Sequence, residues 1–333
     1  MTIGKRIALT WLTFGTSAVL VCLGAPLMGP ASISLRRVFN SSIPFADNLD
    51  AQIFFVARLP RVIAGAMVGS SLAASGVVFQ ALLRNPLATP FTLGVSAGAA
   101  LGAMLALTLN LPSGIVGFSA VPIASFAGSL GAVAIVYALA RAKHRGISTN
   151  VLLLAGVTLN SFFSALILFV QFLADYSQTF RTVRWLMGDL DISSYGPLVA
   201  ALPPIALSFA AFAVLPKSMN LLSISDESAA SRGVDVHRTQ RLAFLSASLA
   251  TGAAVSLGGP VGFIGIVVPH LVRLIVGADH RLVLPASAFG GAAFLIMCDT
   301  ISRTALSPLE VPVGVVTAII GGPFFLWLLI RSR

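Results

Sequence analysis

Apolar residues in this chain do not alternate with polar ones; they run on. Stretches near 7–29, 61–83, 92–109, 118–140, 151–173, 197–215, 242–257, 263–276, 282–298 and 311–330 are apolar throughout or nearly so. Most approach the roughly 20 residues a helix needs to cross a bilayer. The pattern predicts an all-α integral membrane protein, a ten-span helical bundle with a single domain over 1–333. The eighth stretch is short and carries His270 and Arg273, so its membership needs a second criterion.

Charge supplies it. Ten spans place 14 of the 21 Lys and Arg residues on one side and 7 on the other. Fusing 242–268 into one span and dropping the short piece would give 11 and 10. Cytoplasmic loops collect Lys and Arg, so the ten-span count is preferred, with both termini cytoplasmic. The first stretch lacks a small-residue cleavage site and reads as a retained helix. The short eighth span follows Gly258-Gly259-Pro260 and contains Pro269; both features predict a broken helix, which survives at membrane depth only where protein or a watery cavity satisfies the backbone.

"SSLAASGVV" (70–78) and "SASLATGAAV" (246–255) resemble each other faintly, each before a Pro-containing break. Halves of five spans would be inverted, so spans 2–5 and 7–10 are expected to form inverted repeats. Gly65 and Gly69, then Gly94, Gly98 and Gly102, place small residues at helical spacing, the pattern that lets helices approach closely.

Composition then closes off several functions. The chain is 57% hydrophobic and 10% charged, far from the quarter or so typical of soluble domains. In this setting the net charge of +10 reports orientation and not nucleic-acid binding. Cys22 and Cys298 both lie in apolar runs and suggest neither a metal site nor a disulfide framework. None of the three lysines follows a glycine loop of the P-loop kind, so ATP hydrolysis is not expected of this chain. No acid sits within a span core, Asp299 at a helix end coming closest, which argues against proton or sodium coupling. Uphill transport would draw its energy from another molecule.

One polar island interrupts the oil: "SISDESAASRGVD" (223–235). Ser225 can cap a helix whose first turn carries Asp226 and Glu227 and whose end carries Arg232 and Gly233. Asp235 opens the next stretch. Ala229 and Ala230 would keep one face of this short helix flat enough for a partner.

Together these features resemble the permease subunits of type II ABC importers, the family that takes up iron-siderophores, haem and cobalamin. The likeness covers nearly the whole chain. It is strongest in "ARLPRVIAGAMVGSSLAASGVVFQALLRNPLATPFTLGVSAGAALGA" (57–103), "GFIGIVVPHLVRLIVGADHRLVLPASAFGGAAF" (262–294) and "ISRTALSPLEVPVGVVTAIIGGPFFLWLLIR" (301–331).

The resemblance implies a second permease copy, two cytoplasmic ABC ATPase subunits holding ATP and Mg, and an extracytoplasmic substrate-binding protein, in a bacterial inner membrane. It implies no cofactor or metal in this chain. Loop 217–238 matches the family's coupling helices, with Ser225, Asp226, Glu227, Ala229, Arg232 and Gly233 as ATPase contacts. Arg58 and Arg61 of "RLPR" and Arg303 of "SRTALSP" match outer arginines that receive carboxylates of the binding protein. The inner gate maps to Asn85 and Leu87 of "RNPLATP" and to Thr149 and Asn150 of "ISTN"; some cobalamin importers carry Ser where this chain has Asn150. The path is expected between subunits, along spans five and ten. Thr158, Asn160, Ser161 and Ser164 offer a weakly polar face or, equally, interhelical hydrogen bonds. Gly314 and a bend at Gly321-Gly322-Pro323 belong to span ten.

The expected function is a permease for a bulky metal chelate, ferric siderophore or haem, with cobalamin the alternative. A self-contained secondary transporter or channel is the competing class, and a passive membrane anchor would not need broken helices. Which chelate is carried is not written in this chain, because specificity resides mostly in the binding protein.

Overall fold

The structure, a computed structural model, describes residues 3–111, 120–142 and 149–331. Helices account for every regular element among them. Ten apolar helices follow in order: α1 (Ile3–Gly24), α2 (Leu49–Leu82), α3 (Val95–Thr108), α4 (Ala120–Ala142), α5 (Thr149–Leu173), α6 (Gly196–Val214), α7 (Val236–Gly258), α8 (Ile264–Val276), α9 (His280–Thr304) and α10 (Val313–Arg331). Seven are long and apolar enough to cross a membrane; α3, α8 and α10 are the shorter apolar helices. The ten positions agree with the ten hydrophobic runs.

The centre is made by α2, α7 and α9, whose apolar windows are the most buried. Helix α2 packs on α9 as α7 packs on α4; α3 packs on α4 as α8 packs on α9; α2 meets α8 as α7 meets α3. That exchange pairs α2–α5 with α7–α10, the relation expected of repeats.

Close approach depends on glycine at several crossings, and at two of them the glycines face each other reciprocally. A Cβ on Gly69 would run into the Gly291 carbonyl and the reverse holds too, fixing α2 against α9. Gly98 and Gly128 do the same for α3 and α4. Here backbone contact replaces side-chain packing, as the small-residue spacing anticipates. Gly94 departs from that pattern: it lies at φ 78 in the turn that opens α3, so its glycine serves backbone conformation.

One boundary and one added helix differ from the hydrophobic pattern. Helix α2 begins at Leu49, not near 61, because Asn48 caps it by accepting from the Ala51 amide at 3.1 Å. It absorbs Pro60 by widening into a π-helical turn over Ile53–Arg58, where the Leu59 amide bonds back to Phe54 O. Pro269 lies inside α8 without ending it; the break stays at Gly258–Phe263, with Gly259 at φ 65 and Phe263 at φ 68. An amphipathic helix, Tyr176–Leu186, lies between the fifth and sixth hydrophobic runs. Asp175 and Gln178 form its capping box, a signal present in the sequence.

Candidate functional site

The polar groups gather at the two ends of the bundle. At the end where α2 starts and α9 finishes, Asp299 stands inside α9, five residues from its end, and not at the helix end where it was expected. Its carboxylate accepts from Arg61 Nε at 2.8 Å through one oxygen and from Arg303 Nε at 3.0 Å through the other. Arg61 also donates to Glu310 at 2.8 Å. Arg61, Asp299 and Arg303 are 6%, 1% and 4% exposed. Arg58 donates to the carbonyls of Pro26 (2.9 Å) and Ala31, and Arg303 reaches Met28 O at 3.2 Å. The three arginines therefore lie at one end of the bundle, turned inward. Arg58 and Arg303 bind segment 25–31 to α2 and α9, while Arg61 donates to Asp299 and Glu310. Exposed cations at this end include Arg36 and Arg37 on the neighbouring loop.

The opposite end is built from the segment after α6. Helix Pro216–Leu222 leads into helix Asp226–Ser231, whose N-cap Ser225 accepts from the Ser228 amide at 2.9 Å. Asp226 and Glu227 occupy its first turn, where the helix dipole favours them. Gly233 turns the chain at φ 81, and Asp235 caps α7 by accepting from the Arg238 amide. Asp226, Glu227, Arg232 and Gly233 are exposed, and Ser225 half-buried. Ala229 is fully buried, so the helix turns this alanine toward its own chain and not outward. Ala230, one step round the helix, is the exposed small residue.

Arg84 joins this loop to the bundle, and the charge pattern alone did not single it out. It sits just past the end of α2 at φ 49, a left-handed conformation that a non-glycine residue adopts at a cost of roughly 1–3 kcal/mol. Its Nε donates to Leu222 O at 2.8 Å, and its guanidinium pairs with Asp226. One side chain thus holds the end of one short helix and the start of the next. The following residue is Asn85, whose side-chain oxygen accepts from the Leu87 amide at 2.9 Å. Asn85 is half-buried and Leu87 exposed. Asn150 is exposed at the start of α5, and no hydrogen bond joins it to Asn85 or Leu87 among the described residues. The Thr149 side chain, with Ile147 and Ser148, lies outside the described residues.

A second clamp ties the same loop to α9. Asn220 Nδ2 donates to Asp279 Oδ1 at 2.7 Å, while Asn220 Oδ1 accepts from the His280 amide at 2.8 Å. That oxygen lies 2.7 Å from His280 Nδ1, which therefore carries the ring proton. Hydrogen bonds from Arg281, helped by Asn220, hold the Asp279 carboxyl well below the ordinary carboxylate range. At the far end of α5, the Gln178 amide and the Ser177 hydroxyl depress Asp175 in the same way.

The expected path residues divide. Thr158, Ser161 and Ser164 are exposed on α5, in a stripe shared with Leu154, Val157 and Leu168. Asn160 instead donates to Phe91 O at 2.7 Å and fastens α5 to the turn before α3. Gly314 is pressed against Met187 O, where a Cβ would collide. Helix α10 continues through Gly321-Gly322-Pro323, and Gly321 lies under the Phe263 ring.

A multi-pass bundle with a broken hairpin at α7–α8, and a capped loop standing off one end, is the architecture of a transport permease. Residues 17–331 match the FecCD transport family, and the chain belongs to that family, the membrane permeases of type II ABC importers. It is 38% identical over 317 residues to the hemin transport system permease protein HmuU of Yersinia pestis, covering 95% of this chain and 93% of that one. It is 44% identical over 324 residues to the cobalamin import system permease protein BtuC of Halobacterium salinarum, covering 97% and 84%. A solved structure described as an inward-facing conformation of a metal-chelate type ABC transporter aligns over 98% of this chain and 99% of its own, at 29% identity and a TM-score of 0.81.

Proposed function

We propose that this chain is the ten-span membrane subunit of an ATP-driven importer for a bulky metal chelate, ferric siderophore or haem, working by alternating access between two copies. The observation that carries this reading is the loop after α6. It is an exposed, doubly capped pair of short helices held to the ends of α2 and α9, on a chain of the FecCD transport family. In this reading the loop, residues 217–238, faces the cytoplasm of a bacterial inner membrane with both termini. Two separate ATPase subunits, carrying ATP and Mg, grip it through Asp226, Glu227, Ala230, Arg232 and Gly233, with Ser225 as the cap. Ala229 anchors the helix to its own chain.

ATPase motion then passes through Arg84 to Asn85 and Leu87, which with Thr149 and Asn150 form the inner gate. The exposed faces of α5 and α10 meet the second copy, and Thr158, Ser161 and Ser164 wet the path between them. At the outer end, Arg58, Arg61 and Arg303 hold the rim together. An acidic binding protein meets Arg36 and Arg37 first and engages the buried cluster only by displacing Glu310, which is 37% exposed, from Arg61. Ion coupling is disfavoured because both oxygens of Asp299 are already paired with arginine.

Cobalamin is a second cargo favoured by a specific observation, the 44% identity to a cobalamin permease. The test is uptake by proteoliposomes containing the permease, its ATPase and its binding protein, with haem, ferric siderophore and cobalamin offered separately. ATP-dependent accumulation of one of them is expected. Accumulation driven by a proton or sodium gradient without ATP would overturn the reading.

A further inference from the structure

Helix α1 leaves part of its length uncovered. It packs along α9 but is the least buried of the long apolar helices. Beside it run two apolar hollows of about 550 and 530 Å³. They share Trp11, Phe209, Pro285 and Ala288, so they form one groove between α1, α6 and α9. The groove exists because its walls are small where helices would otherwise fill it. Gly15 and Ala18 on α1 face Ala66 on α2 and Ala292 on α9.

The groove's two ends differ in chemistry. Its stretch beside Cys22 and Leu23 is apolar. Its other end opens at Lys217 and Arg281, where α6 gives way to helix Pro216–Leu222 and α9 begins. Lys217 is exposed and makes no hydrogen bond or ion pair among the described residues. Arg281 pairs with Asp279 at 2.7 Å but keeps over a third of its side chain exposed. Lys5 and Arg6 stand at the start of α1, next to Ile7 of the groove wall, and Arg6 donates to Val276 O. Against four cations there is one acid, Asp279, already held by Arg281 and Asn220.

We propose that this groove is a binding site for an anionic glycerophospholipid. One acyl chain lies along α1 between Trp11 and Ala18, and the headgroup phosphate sits between Lys217 and Arg281. The apolar walls cannot select the occupant by themselves, since lipid tails are as apolar as leucine and any lipid fills the groove equally well. Selection comes from the rim, where basic residues at the mouth of an interhelical pocket recognise anionic headgroups. The site rests on the fold and the charge placement, not on the transport reading.

The test uses the intact complex in nanodiscs made from a defined mixture of phosphatidylethanolamine and phosphatidylglycerol, with retained lipids counted by native mass spectrometry. The wild type should retain phosphatidylglycerol several-fold above its share of the mixture. Lys217→Glu should return the ratio to that of the bulk. Gly15→Trp, at a position on the groove wall where an added Cβ meets no atom within 4 Å, should fill the groove and lower the count of retained lipid without unfolding α1. Thermal melts of both variants confirm that they are folded. Retention at the bulk ratio in the wild type would overturn the site, as would enrichment unaltered by Lys217→Glu or a count unaltered by Gly15→Trp.

Discussion

The two polar ends of this bundle use the same residue types for opposite purposes. At one, Arg61, Asp299 and Arg303 are buried and mutually satisfied; at the other, Arg84 and Asp226 are 41% and 50% exposed. A buried charge cluster is costly to assemble and more costly to break, so removing one member strands the others. An exposed pair is worth about 0.2–1 kcal/mol. Arg84 spends roughly 1–3 kcal/mol on its left-handed backbone, which the pair does not return. Stability alone does not explain an arginine there, whereas it explains Asp299 well. The end that holds Asp299 reads as a knot and the end that holds Arg84 as a linkage.

The largest expected effect is at the knot. Asp299→Ala leaves two buried guanidinium groups unpaired and should cost about 3–5 kcal/mol. Thermal melting of the purified complex would show it as a large drop or as failure to assemble. A melt close to wild type would mean that the cluster is not a stabilising knot.

Reversing the Arg84–Asp226 pair sharpens the contrast. Arg84→Glu should reduce uptake with little change in melting, and adding Asp226→Arg should restore part of it. Failure of the double variant to improve on the single one would separate the pair from coupling. Ser225→Ala removes the cap from a six-residue helix and should cost about 1 kcal/mol locally. Hydrogen exchange at Ser228 and Ala229 should quicken while exchange in α2 stays unchanged.

The smallest effect concerns pH at the second clamp. The folded-state pKa of Asp279 is depressed, so its contribution is complete above the unfolded value of about 3.9 and fades as pH falls through the lower folded value. The melting difference between wild type and Asp279→Asn should therefore hold from neutral pH down to about 4 and shrink below. A difference that collapses near neutral pH would assign the clamp to another group.

Much of this molecule was legible because membrane spans and caps are local. The hydrophobic runs located all ten helices, and the Ser225 cap and the Asp235 start were readable from residue types a turn apart. What escaped depends on distant partners or on facing. Arg61 and Asp299 are separated by 238 positions, so an acid that looked like a helix end proved to be the centre of the arginine cluster. Asn160 reads equally as a path residue or as an interhelical donor, and only the Phe91 carbonyl beside it shows the second. Ala229 and Ala230 are identical as letters, and only the packing of their helix decides which one is buried. Pro269 reads as part of a break, yet α8 carries it within a continuous helix.

In the proposed mechanism Arg84 links the loop to the gate, and Arg84→Gly tests that link most directly. Glycine accepts the left-handed conformation without strain, so this variant should melt at or slightly above the wild-type temperature. In proteoliposomes with the ATPase and binding protein present, the quantity to measure is ATP hydrolysed per chelate accumulated. Hydrolysis should persist while accumulation falls, raising that ratio severalfold. An unchanged ratio in a folded, assembled Arg84→Gly complex would contradict the claim that Arg84 carries ATPase motion to the gate.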